Sequence, residues 1–180
     1  SYKNYKLMSN TNDDPEILYI GGTSRSGSSI LEHTLAKTNG MINVGEICRI
    51  RDFSTRNRAK IRDPLSILGC SCGIRIKDCS FWKKVERESG LDTSKIDLSG
   101  KLSNINSRLF KLVFFIFGSK VTMRISNYYK PFNSIITIAN NYYKILTAIA
   151  KISNAKYIID SSKMLHIFLI LKMFQPSKIK

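Results

Sequence analysis

ILYIGGTSRSGSSILEHTL, residues 17–35, is the stretch from which the fold can be read. Ile17–Ile20 is a short apolar run closed by Gly21-Gly22, the pattern of a buried strand. Ser28 or Ser29 opens a periodic segment through Ile30, Leu31 and Leu35, a helix pattern that ends near Asn39-Gly40. A Gly- and Ser-rich loop joins the two. Such a strand–loop–helix gathers backbone N–H groups and a helix N-terminus at one place, pre-organised for a phosphate-like anion. Gly22 and Gly27 permit the tight turn and the close approach of ligand oxygens. Ser26, Ser28 and Ser29 add hydroxyl donors, and Arg25 adds a fixed positive charge.

Met41–Val44, stopped by Gly45, reads as a second strand and completes a βαβ unit, so a parallel sheet is expected. Upstream, Ser1–Glu16 is a polar lead-in. Arg49–Gly90 is polar, basic and irregular, and Ser94–Gly100 is a turn region. Asn104–Phe117 and Asn133–Ile152 read as helices, Lys156–Ile159 as a third strand, and Met164–Phe174 as a further apolar helix. The expected fold is α/β: three layers, a parallel sheet between helices, with the topology of P-loop nucleotide-binding proteins. A ligand is expected outside the C-terminal ends of the strands.

The loop shares the Gly spacing of the Walker A pattern, and Ser29 fills its last position. Ser28, however, stands where that pattern requires Lys. A nucleoside triphosphatase uses that Lys on its terminal phosphates, together with Mg²⁺. Here the cation is Arg25, inside the loop, which suits a shorter phosphate group handled without metal.

The chain has 180 residues, with 29 Lys+Arg against 13 Asp+Glu, a formal charge of +16. The length suits one domain, since domains commonly run ~100–200 residues. Its 43% apolar content excludes a disordered tail. No apolar run reaches the ~18–20 residues of a spanning helix, and the start lacks a signal-peptide pattern, so the cytoplasm is the expected compartment. From Leu98 onward Asp160 is the only acid against thirteen Lys+Arg. That field attracts anions, although lysines that merely solvate a surface give the same composition.

TSRSGSS, residues 23–29, is similar to the 5′-phosphosulfate loop of the sulfotransferases that use 3′-phosphoadenylyl sulfate. The form with Arg-Ser-Gly before two Ser or Thr occurs in tyrosylprotein, carbohydrate and many bacterial members. The resemblance implies that Arg25 contacts the phosphosulfate while Gly27, Ser28 and Ser29 wrap the 5′-phosphate. MINVGEICRI, residues 41–50, resembles the family's second strand and following Gly-Glu, which implies that Glu46 is the general base. The simpler reading of Glu46 is an ion pair with Arg49 or Arg51, and His33 is the alternative base. YIIDSSKMLHIFLILKM, residues 157–173, resembles the family's strand-then-helix segment. It implies that Lys163 stabilises charge on the transferring sulfuryl group and the leaving phosphate. Asp160 and Ser162 are also helix-capping residue types.

The implied activity is sulfuryl transfer from 3′-phosphoadenylyl sulfate to an acceptor hydroxyl, with no metal required. The acceptor class is open; the basic run Arg49, Arg51, Arg56, Arg58, Lys60, Arg62 admits an acidic one and equally a solvated basic loop. The family's Arg-then-Ser segment, which reads the donor's 3′-phosphate, has no counterpart before Lys180. On the resemblance, residues 17–180 are therefore a partial sulfotransferase domain, incomplete at the C-terminus. The rivals are a P-loop kinase-like phosphotransferase and a basic anion- or nucleic-acid-binding module. The scatter of Lys without stacked aromatics speaks against specific nucleic-acid recognition.

GCSCGIRIKDCSFW, residues 69–82, resembles a Cys-rich segment of many bacterial sulfotransferases, with Ser80 in place of a Pro. Free buried thiols, a disulfide, and a zinc site completed by Cys48 or His33 are all compatible with Cys48, Cys70, Cys72 and Cys79.

Overall fold

Three short, largely apolar strands form the sheet: β1 (Glu16–Tyr19), β2 (Met41–Gly45) and β3 (Tyr157–Asp160). They come from a computed structural model that describes residues 14–23, 26–55, 70, 72, 74–99, 104–129, 132–175 and 177–180. All pairing is parallel, in the order β1-β3-β2, so the expected α/β class and parallel sheet are present. β3 inserts between the two strands of the βαβ unit. Tyr19 and Gly45 both stand in register with Asp160, which aligns the C-terminal ends of all three strands. On the other flank of β1, Ile179 forms a parallel bridge with Ile17. The Ile17 and Tyr19 N–H groups donate to the carbonyls of Lys178 and Lys180, at 2.8 and 3.1 Å.

The helices are α1 (Ser28–Leu35), α2 (Ile50–Thr55), α3 (Ser80–Ser89), α4 (Asn104–Tyr128), α5 (Asn133–Ser153) and α6 (Leu165–Phe174). α5 is the centre of the core. Ile135, Ala139, Tyr142, Ile145, Leu146 and Ile149 are fully buried on it, against Ile158 of β3 and Ile167 and Ile170 of α6. Each large side chain enclosed in this way contributes roughly 1.5–3 kcal/mol relative to exposure. α5 packs against α3, α4, α6 and β3, while α1 packs against β2 and β3.

Several expectations are corrected. Glu16 pairs with Tyr157 and so belongs to β1 rather than to the lead-in. Arg49–Gly90 is not wholly irregular, since it holds α2 and α3. α3 carries only two buried apolar residues, Trp82 and Val85, three positions apart, and its polar remainder hides the helix from a periodicity reading. The helix expected over Asn104–Phe117 continues to Tyr128 through a kink at Gly118, whose φ of 75° and ψ of 178° only glycine adopts at little cost. Of the expected turn region, Ser94–Ser99 holds turns and neither helix nor strand, and Gly100 lies outside the described residues. There the Asp92 and Asp97 side chains accept from the Ser94 and Ser99 N–H groups, at 2.9 and 3.0 Å. Among the described residues no helix is long and apolar enough to cross a membrane.

Candidate functional site at the C-terminal edge of the sheet

Three connections leave the aligned strand ends, and each carries expected site residues. Beyond β1 the chain runs through Ile20 and the exposed Gly21, Gly22 and Thr23 to Ser26, Gly27 and α1. Ser24 and Arg25 lie outside the described residues. Gly22 has a φ of 151°, and a Cβ there would stand 2.8 Å from Ser26 Oγ. Gly27, with a φ of 76°, is the N-cap of α1 and accepts from the Ile30 and Leu31 N–H groups. The first N–H groups of any helix lack partners within it, so the loop ends in donors suited to an anion.

α1 presents a different face from the one its apolar residues suggest. Ser28 and Glu32 are buried, whereas Ile30 is 75% and Leu31 49% exposed. The helix starts directly from the tight loop, so Gly27 fixes its rotational phase. Ser28 then turns inward, and Glu32 follows one turn later. Glu32 Oε2 is buried without a hydrogen-bond partner among the described residues. His33 is exposed on α1, apart from the Glu46 ion pairs described next.

Beyond β2, the Asn43 side chain accepts from the Gly45 N–H at 2.7 Å across a bulge, and Gly45 turns with a φ of 63°. Glu46 follows at the rim, half-buried. One oxygen accepts from Arg49 Nη1 at 3.0 Å, and the other accepts from Lys163 Nζ at 3.3 Å. The expected ion pair with Arg49 is therefore present. Arg51 pairs instead with Asp97 at 3.8 Å. Arg56, Arg58, Lys60 and Arg62 lie outside the described residues.

Beyond β3, Asp160 is completely buried and caps no helix. The N-cap of α6 is Met164, and it has no side-chain cap, which corrects the capping reading of Asp160 and Ser162. Asp160 Oδ1 accepts from the Ser162 N–H at 2.9 Å and from the Ser162 hydroxyl at 2.5 Å. Its Oδ2 accepts from the Tyr142 hydroxyl. Ser162 Oγ accepts in turn from the Cys48 N–H at 3.2 Å, tying the loop after β3 to the loop after β2. Tyr19 OH donates to the Met164 carbonyl and accepts from its N–H, both at 3.0 Å, tying in β1 as well. Within this frame Lys163 has a φ of 60°, a left-handed conformation that a side-chain-bearing residue adopts at a cost of ~1–2 kcal/mol.

Burial dominates the electrostatics. It pushes the Asp160 carboxyl up to about 6, against the pull of the Ser162 and Tyr142 hydrogen bonds, with Glu32 adding to the rise. It also pushes the Cys48 thiol up to about 12 and raises the Tyr19 and Tyr142 hydroxyls. These groups hold the neighbouring loops in place, whereas Glu46 and Lys163 at the rim can meet a ligand. Sequence reasoning missed the framing role of Tyr142, Tyr19 and Cys48. Tyr142 reads as one more apolar position of α5, and only the fold brings it to Asp160.

Cys48 is taken up by this network, with Sγ 3.9 Å from the Ser162 carbonyl oxygen and 4.0 Å from Met164 Sδ. It is not a fourth partner of the other three cysteines. None of the four cysteines is joined in a disulfide.

Compared with known proteins, the chain matches no family model, no curated protein and no solved structure.

Proposed function

We propose that residues 17–180 form the phosphosulfate-binding part of a sulfotransferase, with the three-layer, P-loop-like topology expected from the strand–loop–helix at its start. One observation carries the reading: Glu46 and Lys163, from two different strand ends, meet at 3.3 Å on the edge from which the Gly-rich loop also leaves. A proton acceptor and a cation side by side, next to an anion-binding loop, are the parts that sulfuryl transfer requires.

The donor is 3′-phosphoadenylyl sulfate. Its 5′-phosphosulfate lies in the loop of Gly22, Arg25, Ser26, Gly27, Ser28 and Ser29. The acceptor oxygen attacks sulfur in line, its proton passes to a Glu46 carboxylate oxygen, and the new O–S bond forms as the S–O bond to the 5′-phosphate breaks. The bonding pair leaves on the phosphate oxygen, where Lys163 and Arg25 offset the growing negative charge. Lys163 exchanges its contact with Glu46 for one with the donor, which frees that carboxylate oxygen for the acceptor. Positioning and electrostatics supply most of the rate, as in phosphoryl transfer, and no metal takes part.

Calorimetry with adenosine 3′,5′-bisphosphate and with Mg²⁺-ATP, on the full-length protein because residues 17–180 lack the expected 3′-phosphate reader, tests the proposal. We expect the bisphosphate to bind and Arg25→Ala to weaken it at least ~10-fold, about 1.4 kcal/mol. Tight binding of Mg²⁺-ATP without binding of the bisphosphate would overturn it in favour of a phosphotransferase.

A further inference from the structure

Away from the sheet edge, three sulfur atoms converge. The Sγ atoms of Cys70, Cys72 and Cys79 all lie within 4.8 Å of one another, and Cys72 and Cys79 are 3.6 Å apart. The backbone builds this cluster from two directions. The Cys70 N–H donates to the Ile74 carbonyl at 2.8 Å. The 3-10 turn Ile76–Asp78 then delivers Cys79, whose N–H donates to the Arg75 and Ile76 carbonyls at 2.9 and 3.2 Å. Cys79 is the N-cap residue of α3, so its position is fixed by the start of that helix. Cys79 is buried with Ile76, Trp82 and Val85, whereas Cys72 faces solvent.

We infer that Cys70, Cys72 and Cys79 bind a zinc ion as thiolates, with water at the fourth corner on the exposed Cys72 side. In a tetrahedral site with Zn–S arms of ~2.3 Å, neighbouring sulfurs stand ~3.8 Å apart. The observed 3.6 Å between Cys72 and Cys79 is close to that edge, and all three thiols already lie within reach of one ion. The donor set is soft sulfur, which selects zinc or cuprous copper over magnesium or calcium. Asp78, the nearest acid in sequence, is engaged by Arg75 Nε at 2.6 Å and Nη2 at 2.5 Å, which keeps the set all-sulfur. Each thiol loses its proton to solvent as its S–Zn bond forms, so uptake is proton-linked. The ion has no part in the sulfuryl chemistry proposed above. It pins Cys70 and Cys72 to Cys79 at the start of α3, and α3 packs on the central α5.

The test is elemental analysis of the whole chain purified under reducing conditions without chelator, followed by cobalt substitution. We expect stoichiometric zinc, and a cobalt form with an intense thiolate-to-metal charge-transfer band and tetrahedral ligand-field bands. In the wild-type chain, stepwise thiol modification should release the metal in parallel with the loss of Cys70, Cys72 and Cys79, a readout that requires no variant to fold. Cys72→Ser, at the exposed corner, should lower metal affinity at least ~10-fold, as loss of one ligand does even in the outer shell. A reduced chain that neither retains nor takes up zinc or cobalt would overturn the site. So would a chain whose metal survives modification of these three thiols, or one that carries a Cys72–Cys79 disulfide and takes up no metal after reduction.

Discussion

Lys163 Nζ lies 3.3 Å from Glu46 Oε1, joining two residues that are 117 positions apart in the chain. Neither residue finds the other by local structure. Glu46 is carried to the rim by the bulge and left-handed turn at Gly45, and Lys163 by its own left-handed backbone after the buried Asp160. The contact depends on β2 and β3 being paired with their ends aligned.

Lys163→Ala should reduce sulfuryl transfer by roughly 10²–10³-fold, the range seen when one transition-state donor is removed. Its thermal stability should change little, because Lys163 is only partly buried and its left-handed backbone already carries strain. Lys163→Gly should be equally inactive and should melt higher than Lys163→Ala, since glycine relieves ~1 kcal/mol at this φ. Equal melting of the two variants would show that the strain is not stored there.

Glu46→Gln should lower kcat by roughly 10²–10⁴-fold while donor binding persists, as expected when a general base is lost. Initial rates with saturating donor, set beside calorimetric binding of adenosine 3′,5′-bisphosphate, separate the two effects. A His33→Ala variant with the larger kcat loss would transfer the base role to His33.

Asp160 gives the protein a defined pH response. Its folded-state carboxyl titrates at about 6, above the ordinary value of 3.8, because burial disfavours the charge. Between those two values the folded chain binds more protons at this group than the unfolded chain does. The group's contribution to stability is therefore full below about 3.8 and is lost as the pH rises through about 6, a change of a few kcal/mol. Comparing melting temperatures of wild type and Asp160→Asn from pH 4 to pH 7 isolates this term, and the difference between them should shift in favour of Asn as the pH rises. A constant difference would mean that Asp160 does not titrate in this window.

Tyr142→Phe should destabilise the chain by ~1.5–3 kcal/mol, because it leaves a fully buried carboxylate oxygen without its donor. It should also move the Asp160 transition to higher pH, since the lost hydrogen bond is one of the interactions that pull that titration down. Denaturant unfolding at two pH values reads both effects.

Much of the fold can be read in the sequence because it is written in short-range patterns. The three strands are short apolar runs between breakers, and α5 and α6 show helical apolar spacing. What escapes is whatever depends on distant partners. Ile30 and Leu31 read as an inward face, yet the loop's turn at Gly27 rotates α1 so that Ser28 and Glu32 point inward instead. α3 has too few apolar residues to announce itself, and it is recognised only once α5 supplies the surface it covers. The site divides in the same way. The rim positions of Glu46 and Lys163 follow from strand ends and glycines, whereas the Asp160–Ser162–Tyr142 support forms only when β3 and α5 pack together.

The backbone of β1 is hydrogen-bonded on both flanks, to β3 on one side and to Lys178–Lys180 on the other. The Gly-rich loop thus hangs from a bracket bolted on two sides. A load on that loop, such as a tightly held anion, is shared by the whole sheet and does not peel away a marginal strand. The amides of Ile17 and Tyr19 are accordingly expected to be among the last to exchange with solvent.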